Sequence, residues 1–245
     1  MSSHRRARAL LAAGLWLAAL SGASPLCRAD GSWSGQIAAT TDYVFGGVSQ
    51  TYGEPALQAA INYQNPLGWF AGAWASNVNP YPFGVGLAEI NVYTGLGWAL
   101  GSDFTARATY TRYLYAWDRR PAAYDYGELS LTLGFEDRLA ATISYQPDST
   151  RYALPGYVRG RPAVAYELTG RWPLPRSFAL IAGVGYYDLT RLYGVGYWSG
   201  SAGASYLRGR FEIELVAFYN DPVVRRLFED AAADGHWVAT AIWRF

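Results

Sequence analysis

From Trp33 onward, apolar and polar residues alternate with a period of two, the repeat of a strand with one apolar face. Leu129, Leu131, Leu133 and Phe135 alternate with Glu128, Ser130, Thr132 and Gly134, and Phe211, Ile213, Leu215 and Ala217 with Glu212 and Glu214. Twelve such stretches are predicted, at about 33–41, 55–63, 69–76, 88–98, 104–112, 127–135, 139–146, 163–172, 178–187, 197–206, 211–219 and 236–245. Their length of roughly ten residues is what a tilted strand needs to cross a bilayer.

The connections fall into two classes in strict alternation. Gln64–Gly68, Ala99–Asp103, Glu136–Arg138, Pro173–Ser177 and Leu207–Arg210 are short. Asp42–Glu54, Asn77–Leu87, Tyr113–Tyr126, Pro147–Arg161, Asp188–Gly196 and Asn220–Gly235 are long. Short periplasmic turns opposite long external loops are the habit of outer-membrane barrels. Aromatics bracket the short turns, at Tyr63/Trp69, Trp98/Phe104, Trp172/Phe178 and Tyr206/Phe211, with Phe135 before the fifth. Each is in phase with the apolar face of its strand, which predicts an inner interfacial girdle completed by Trp33, Trp243 and Phe245. Tyr110, Tyr145, Tyr186, Trp198, Tyr219 and Trp237 are placed to form an outer one. A secreted soluble β-sandwich or barrel also alternates, but it has no need of aromatics at every short turn. The expected fold class is therefore all-β: a transmembrane antiparallel barrel of about twelve strands.

Composition agrees. The 245 residues are 51% hydrophobic and only 16% charged, against roughly 25% charged in ordinary soluble domains, yet mean hydropathy is −0.03. So much apolar content excludes disorder. The formal charge of +1 is set by Arg5, Arg6, Arg8 and Arg28; removing these from the 20 basic residues leaves 16 against 19 acids. No nucleic-acid-binding patch is implied. Residues 2–8 are basic, 9–20 apolar, and a small-residue region ends at Cys27-Arg28-Ala29. This is the layout of a signal peptide, which assigns 1–29 to export and 30–245 to the barrel of a Gram-negative outer membrane. The only cysteine, Cys27, falls in the leader.

Catalytic chemistry has little to work with. His236 is the one histidine after the leader and reads as an interfacial ring beside Trp237; Ser199, Ser201 and Ser205 are not evidently paired with it. Zinc patterns are absent. Asp221, Glu229, Asp230 and Asp234 lack calcium-ligand spacing and read as a solvated loop. Gly-x-Gly strings at Gly84/Gly86, Gly95/Gly97, Gly183/Gly185 and Gly194/Gly196 lie in no βαβ unit and read as structural. No cofactor or metal site is expected.

The lumen is the more informative surface. By parity its charges are Glu89, Arg107, Glu128, Glu167, Arg171, Glu212, Glu214 and Arg244. Such charges must be paired or wet, so either an ion-paired plug or a water-filled passage is possible, and twelve strands decide neither. The acidic excess points to cation preference, which reversal potentials in a salt gradient test. In the first long loop, Asp42, Tyr43, Phe45, Ser49 and Gln50 can fold inward to constrict a pore or pack against the rim, with Gly46-Gly47 supplying a turn.

The strings TDYVFGGVSQTYGEPA at 41–56, INYQNPLGWFAGAWASNV and YDYGELSLTLGFEDRLAATISYQPD resemble the TorF porin family of proteobacteria, otherwise of unknown function. The resemblance runs from about residue 33 to the carboxyl terminus and implies an outer-membrane porin without an assigned substrate. Relatives commonly carry Arg after the Phe of the Asp42–Thr51 string, where this chain has Gly46. The expected function is passive diffusion of small hydrophilic solutes through a charged lumen. The alternatives are a non-conducting structural or adhesive barrel and, least favoured, a membrane enzyme. Expected partners are outer-membrane lipids, small solutes, and the barrel-insertion machinery through the last strand ending at Phe245, with no nucleic acid.

Overall fold

The computed structural model describes residues 31–79, 87–116, 125–153, 156–228 and 235–245. The segment 1–29, expected to be a leader, and Gly84, Gly86, Glu229, Asp230 and Asp234 lie outside these. The first half of the chain contributes β1 (Ser32–Thr40), β4 (Ala56–Gln64), β5 (Trp69–Val78), β6 (Leu87–Leu100), β7 (Phe104–Ala116) and β8 (Tyr126–Phe135). The second contributes β9 (Leu139–Ala153), β10 (Gly156–Pro173), β11 (Phe178–Asp188), β12 (Tyr197–Arg208), β13 (Phe211–Asn220) and β14 (Trp237–Arg244). Between β1 and β4 sits a separate two-stranded hairpin, β2 (Val44–Phe45) and β3 (Val48–Ser49).

The twelve long strands close an antiparallel barrel in which each pairs with its neighbours in sequence and β1 seals against β14. A nine-residue strand runs about 30 Å, and at a tilt of about 40° it spans about 23 Å, close to the apolar band of an outer membrane. The predicted stretches match the strands to within a few residues, with one correction. The loop expected over Pro147–Arg161 is largely strand, since β9 and β10 continue to Ala153 and from Gly156, with register shifts between Val158 and Ala163.

The polarity of the wall is inverted relative to a soluble sheet. Leu57, Leu131, Leu168 and Ile213 face outward and are roughly half exposed or more, whereas Glu89, Asn91, Ser205 and Glu212 on the opposite phase are buried inside. A contiguous apolar exterior of this extent belongs in lipid. Outward aromatics meet in pairs around the short turns: Trp33 with Tyr63 at 5.1 Å, Phe104 with Phe135 at 4.9 Å, Phe178 with Tyr206 at 4.9 Å. At the opposite rim Tyr186 meets Trp198 at 5.0 Å. The closing seam is extended by Phe245, whose backbone exchanges hydrogen bonds with Gly35 at 2.9 and 3.0 Å. The tip of its ring lies 2.6 Å from where a Cβ on Gly35 would be, so a side chain at residue 35 would displace it.

The apolar core lies inside the barrel, toward the long-loop rim. It joins Tyr43, Phe45 and Val48 to inward aromatics of the wall and to two short helices, α1 (Thr190–Tyr193) and α2 (Val224–Leu227), through Leu192, Val224, Leu227 and Phe228.

Candidate functional site

The segment after β1 turns into the barrel because its polar groups satisfy one another locally. The Asp42 carboxylate, 3% exposed, accepts hydrogen bonds from Ser49 Oγ and Thr51 Oγ1, each at 2.6 Å, on one oxygen and meets His236 Nε2 at 2.5 Å on the other. Thr51 Oγ1 in turn accepts from the Tyr43 amide at 3.1 Å, and Gln50 Nε2 donates to the Val48 carbonyl at 3.0 Å. With its charge so held, the loop can bury Tyr43, Phe45 and Val48. The β2–β3 hairpin turns through Gly46 and Gly47 at φ 55° and 77°, the two consecutive positive φ values of a tight hairpin turn that glycine adopts without strain.

The hairpin reaches across the lumen. On one side, Tyr43 lies 5.3 Å from the Trp74 ring of β5 and donates to Glu89 of β6 at 3.4 Å. On the other, Phe45 meets the Tyr187 ring of β11 edge-on at 6.2 Å. Tyr197 Oη of β12 donates to the Gly46 carbonyl at 3.1 Å, and Asn220 Nδ2 of β13 to the Gly47 carbonyl at 2.5 Å. Asp42, Tyr43, Phe45, Ser49 and Gln50 therefore all lie buried within the barrel and not on its rim.

The eight charges expected inside divide into three groups. Arg171 and Arg244 both pair with Glu212, the latter at 2.5 Å, and Arg171 also approaches Glu214 at 3.8 Å and Ser205 Oγ at 2.8 Å. Glu89, Glu128 and Glu167 accept hydrogen bonds from neutral donors. Glu89 accepts from Tyr115 Oη at 3.2 Å and Asn91 Nδ2 at 2.8 Å as well as from Tyr43. Glu128 accepts from Tyr113 Oη at 3.3 Å and Gln146 Nε2 at 2.8 Å, and Glu167 from Tyr187 Oη at 2.5 Å. Hydrogen bonds to a carboxylate contribute about 1.5–3 kcal/mol each, enough for two or three of them to offset much of the desolvation cost. Arg107 forms the third group, its guanidinium 4.7 Å over the face of Phe70.

His236 faces inward to Asp42, while Trp237 beside it is exposed on the outer face, so the histidine is not an interfacial ring. Ser205 serves Arg171. Asp221 Oδ1 accepts from the Val223 amide at 2.9 Å at the start of α2. Among the described residues no three His, Cys, Asp or Glu gather as metal ligands. The inward aromatics Phe70, Trp74, Tyr93, Tyr113, Tyr115, Tyr126, Tyr187 and Tyr197 were not anticipated. Their signal was phase, since each is out of step with the girdle residue on its own strand, as Trp74 is with Trp69.

Beneath the loop a cavity of about 130 Å³ extends toward the short-turn side of the barrel. Trp74, Asn91 and Gln58 line it from one wall, Phe218, Glu214 and Ser201 from the other, and Arg171 and Arg244 from below, with Asp42, Tyr43 and Val44 above.

The sequence model of a bacterial protein family of unknown function, Gcw_chp, matches residues 26–225. This chain belongs to that family. The match carries the bacterial family and not the TorF porin label. No curated protein matches the sequence of this Gcw_chp protein. Solved structures do resemble it. The NanC porin aligns with a TM-score of 0.54 at 10% identity, over 86% of this chain and 98% of its own. The KdgM porin aligns at 0.52 and 7%, over 86% and 99%. An outer membrane channel from Pseudomonas putida F1 aligns at 0.51 and 9%, over 89% and 96%. At these identities the likeness is one of fold: this Gcw_chp protein is built as outer-membrane porins and channels are.

Proposed function

We propose that this protein is an outer-membrane channel through which small hydrophilic solutes diffuse passively, its bore narrowed by the inward-folded 42–54 loop. The observation that carries this reading is the cavity beneath that loop, bordered by Arg171, Arg244 and Glu214 and set inside a wall whose outer face is apolar. A barrel that served only as a scaffold could fill its interior with ion pairs. Here the paired arginines Arg171 and Arg244 border open space. The porin-like fold supports the same reading. Export by residues 1–29 and insertion through a last strand ending at Phe245 belong to it, as does the absence of an enzymatic role.

A second reading is favoured by one observation, the apolar cluster of loop, α1 and α2 that fills the outer half of the lumen. On that reading the barrel does not conduct. Protein refolded in detergent and added to a planar lipid bilayer distinguishes the two. The channel reading expects discrete, reproducible current steps, absent with heat-unfolded protein; a folded barrel that inserts and stays silent refutes it. Reversal potentials in a salt gradient then test whether the five inward glutamates favour cations over anions.

A further inference from the structure

Counted by residue the lumen is acidic, but the charge it presents to a solute is that of arginine. The side chains of Arg171 and Arg244 are 20% and 30% exposed, whereas those of Glu212 and Glu214, the acids they face, are 2% and 14% exposed. Glu89 and Glu128 are buried. Glu167 is half-buried, bonded by Tyr187 and six residues from the short-turn end of β10.

Arg107 carries the same tendency further. Its guanidinium rests over the ring of the inward Phe70, and among the described residues it forms no hydrogen bond and no ion pair. The positions opposite it in the ladder supply no acid, since they are Gly97 of β6 and Thr132 of β8. A Cβ on Gly97 would meet nothing closer than 3.8 Å, and the Thr132 hydroxyl is shared with that of Thr142 at 2.9 Å. The aromatic contact fixes the charge against the wall without using its N–H donors. Those donors are left to water or to a solute, and the planar fork they form matches two oxygens of a carboxylate or phosphate.

The three arginines also surround the same end of the bore. Arg107 is three residues inside the short-turn end of β7, Arg171 two inside that of β10, and Arg244 is the last residue of β14. From β14 to β10, β10 to β7 and β7 back to β14 the steps around the barrel are four, three and five. Positive charge therefore rings the inner mouth, and guanidinium keeps that charge at any working pH.

We propose that the inner mouth of the lumen is an oxyanion-binding site, ringed by Arg107, Arg171 and Arg244, in which Arg107 takes the carboxylate or phosphate group of small solutes and makes the channel favour anions. The proposal rests on the channel reading, of which it names the solute class, and it opposes the cation preference that the count of acids suggests. Reversal potentials of the full chain in a potassium chloride gradient test it, with chloride expected to be the preferred ion. A unit charge removed about 4 Å from an ion's path changes local occupancy about fivefold even at the dielectric constant of water, which sets the loss of chloride preference expected of Arg107→Gln. Arg107→Lys keeps the preference, and so does Arg138→Gln, which removes an exposed arginine paired with Glu136 in a short turn. A heat-dependent gel shift qualifies each variant as a folded barrel.

A second measurement does not need current. Phenylglyoxal modifies accessible arginines, and mass spectrometry of the refolded parent is expected to find Arg107 modified and saturably protected by succinate, phosphate or both, but not by glycerol. Protection by one and not the other tells carboxylate from phosphate recognition. The proposal is overturned if potassium is preferred, if Arg107→Gln leaves the reversal potential of the parent unchanged, or if Arg107 is unreactive or unprotected. A conducting pore with any of these results overturns the site alone; a silent barrel in which Arg107 is protected overturns the channel alone.

Discussion

The seating of the 42–54 loop makes Phe45→Ala the most informative single change. Phe45 is 4% exposed and packs edge-on against Tyr187, but it belongs only to the β2–β3 hairpin and to no ladder of the barrel wall. Its truncation therefore falls on the equilibrium between the seated and unseated loop and leaves barrel closure intact. Removing a buried phenylalanine side chain costs about 3–5 kcal/mol, cavity included. At about 1.4 kcal/mol per factor of ten, that raises the unseated fraction by roughly two to three and a half orders of magnitude. Single-channel recording reads this directly, as a larger fraction of time in the highest conductance level. Leu67→Ala, in a short turn and 88% exposed, controls for non-specific effects of substitution. If Phe45→Ala inserts as a folded barrel and its dwell times stay within twofold of the parent, the hairpin does not limit the bore.

Three further changes test other parts of the wall. Glu212→Leu strips both Arg171 and Arg244 of their shared partner; because both guanidinium side chains are partly wet, the expected loss is about 2–3 kcal/mol, below the range for fully buried pairs, read as a lower urea midpoint of the refolded barrel. Gly35→Val sets a side chain against the Phe245 ring at the β1–β14 seam, and the overpacking of about 1–3 kcal/mol lowers the yield of closed barrel in a refolding gel-shift assay. Leu131→Arg places a charge on the outer face at mid-strand and costs about 2–4 kcal/mol in lipid vesicles. Ser130→Arg, on the lumen face of the same strand, costs markedly less; equal losses would mean that the two faces have been assigned wrongly.

How far the sequence could be read follows from where lipid lies. Leu129, Leu131 and Leu133 stand outward at 54%, 50% and 45% exposure, and a period of two is legible there because the membrane demands apolar groups on one face only. Past Gln146 the β9–β10 pair continues as PDSTRYA and GYVRGRP, where hydropathy no longer alternates and the strands read as loop. Polarity also misleads inside the barrel. A tyrosine is amphipathic, so its type is compatible with either face, and Tyr113 and Tyr115 became recognisable as lumen residues only through their phase against Tyr110. Once inside, these hydroxyls changed the meaning of the charge count. Five inward acids against three arginines are compatible with an ion-paired plug or a water-filled passage; in the barrel Glu89 and Glu128 accept from phenols and amides, Glu167 from the Tyr187 phenol, and Glu212 and Glu214 face arginine. The inward course of the loop was undecidable from Gly46-Gly47 alone, because the groups that receive it, Tyr197 and Asn220, lie 151 and 173 residues away in sequence. Local turn chemistry specifies that a hairpin forms; the closure of β1 onto β14 is what brings His236 to Asp42 and so turns the hairpin inward.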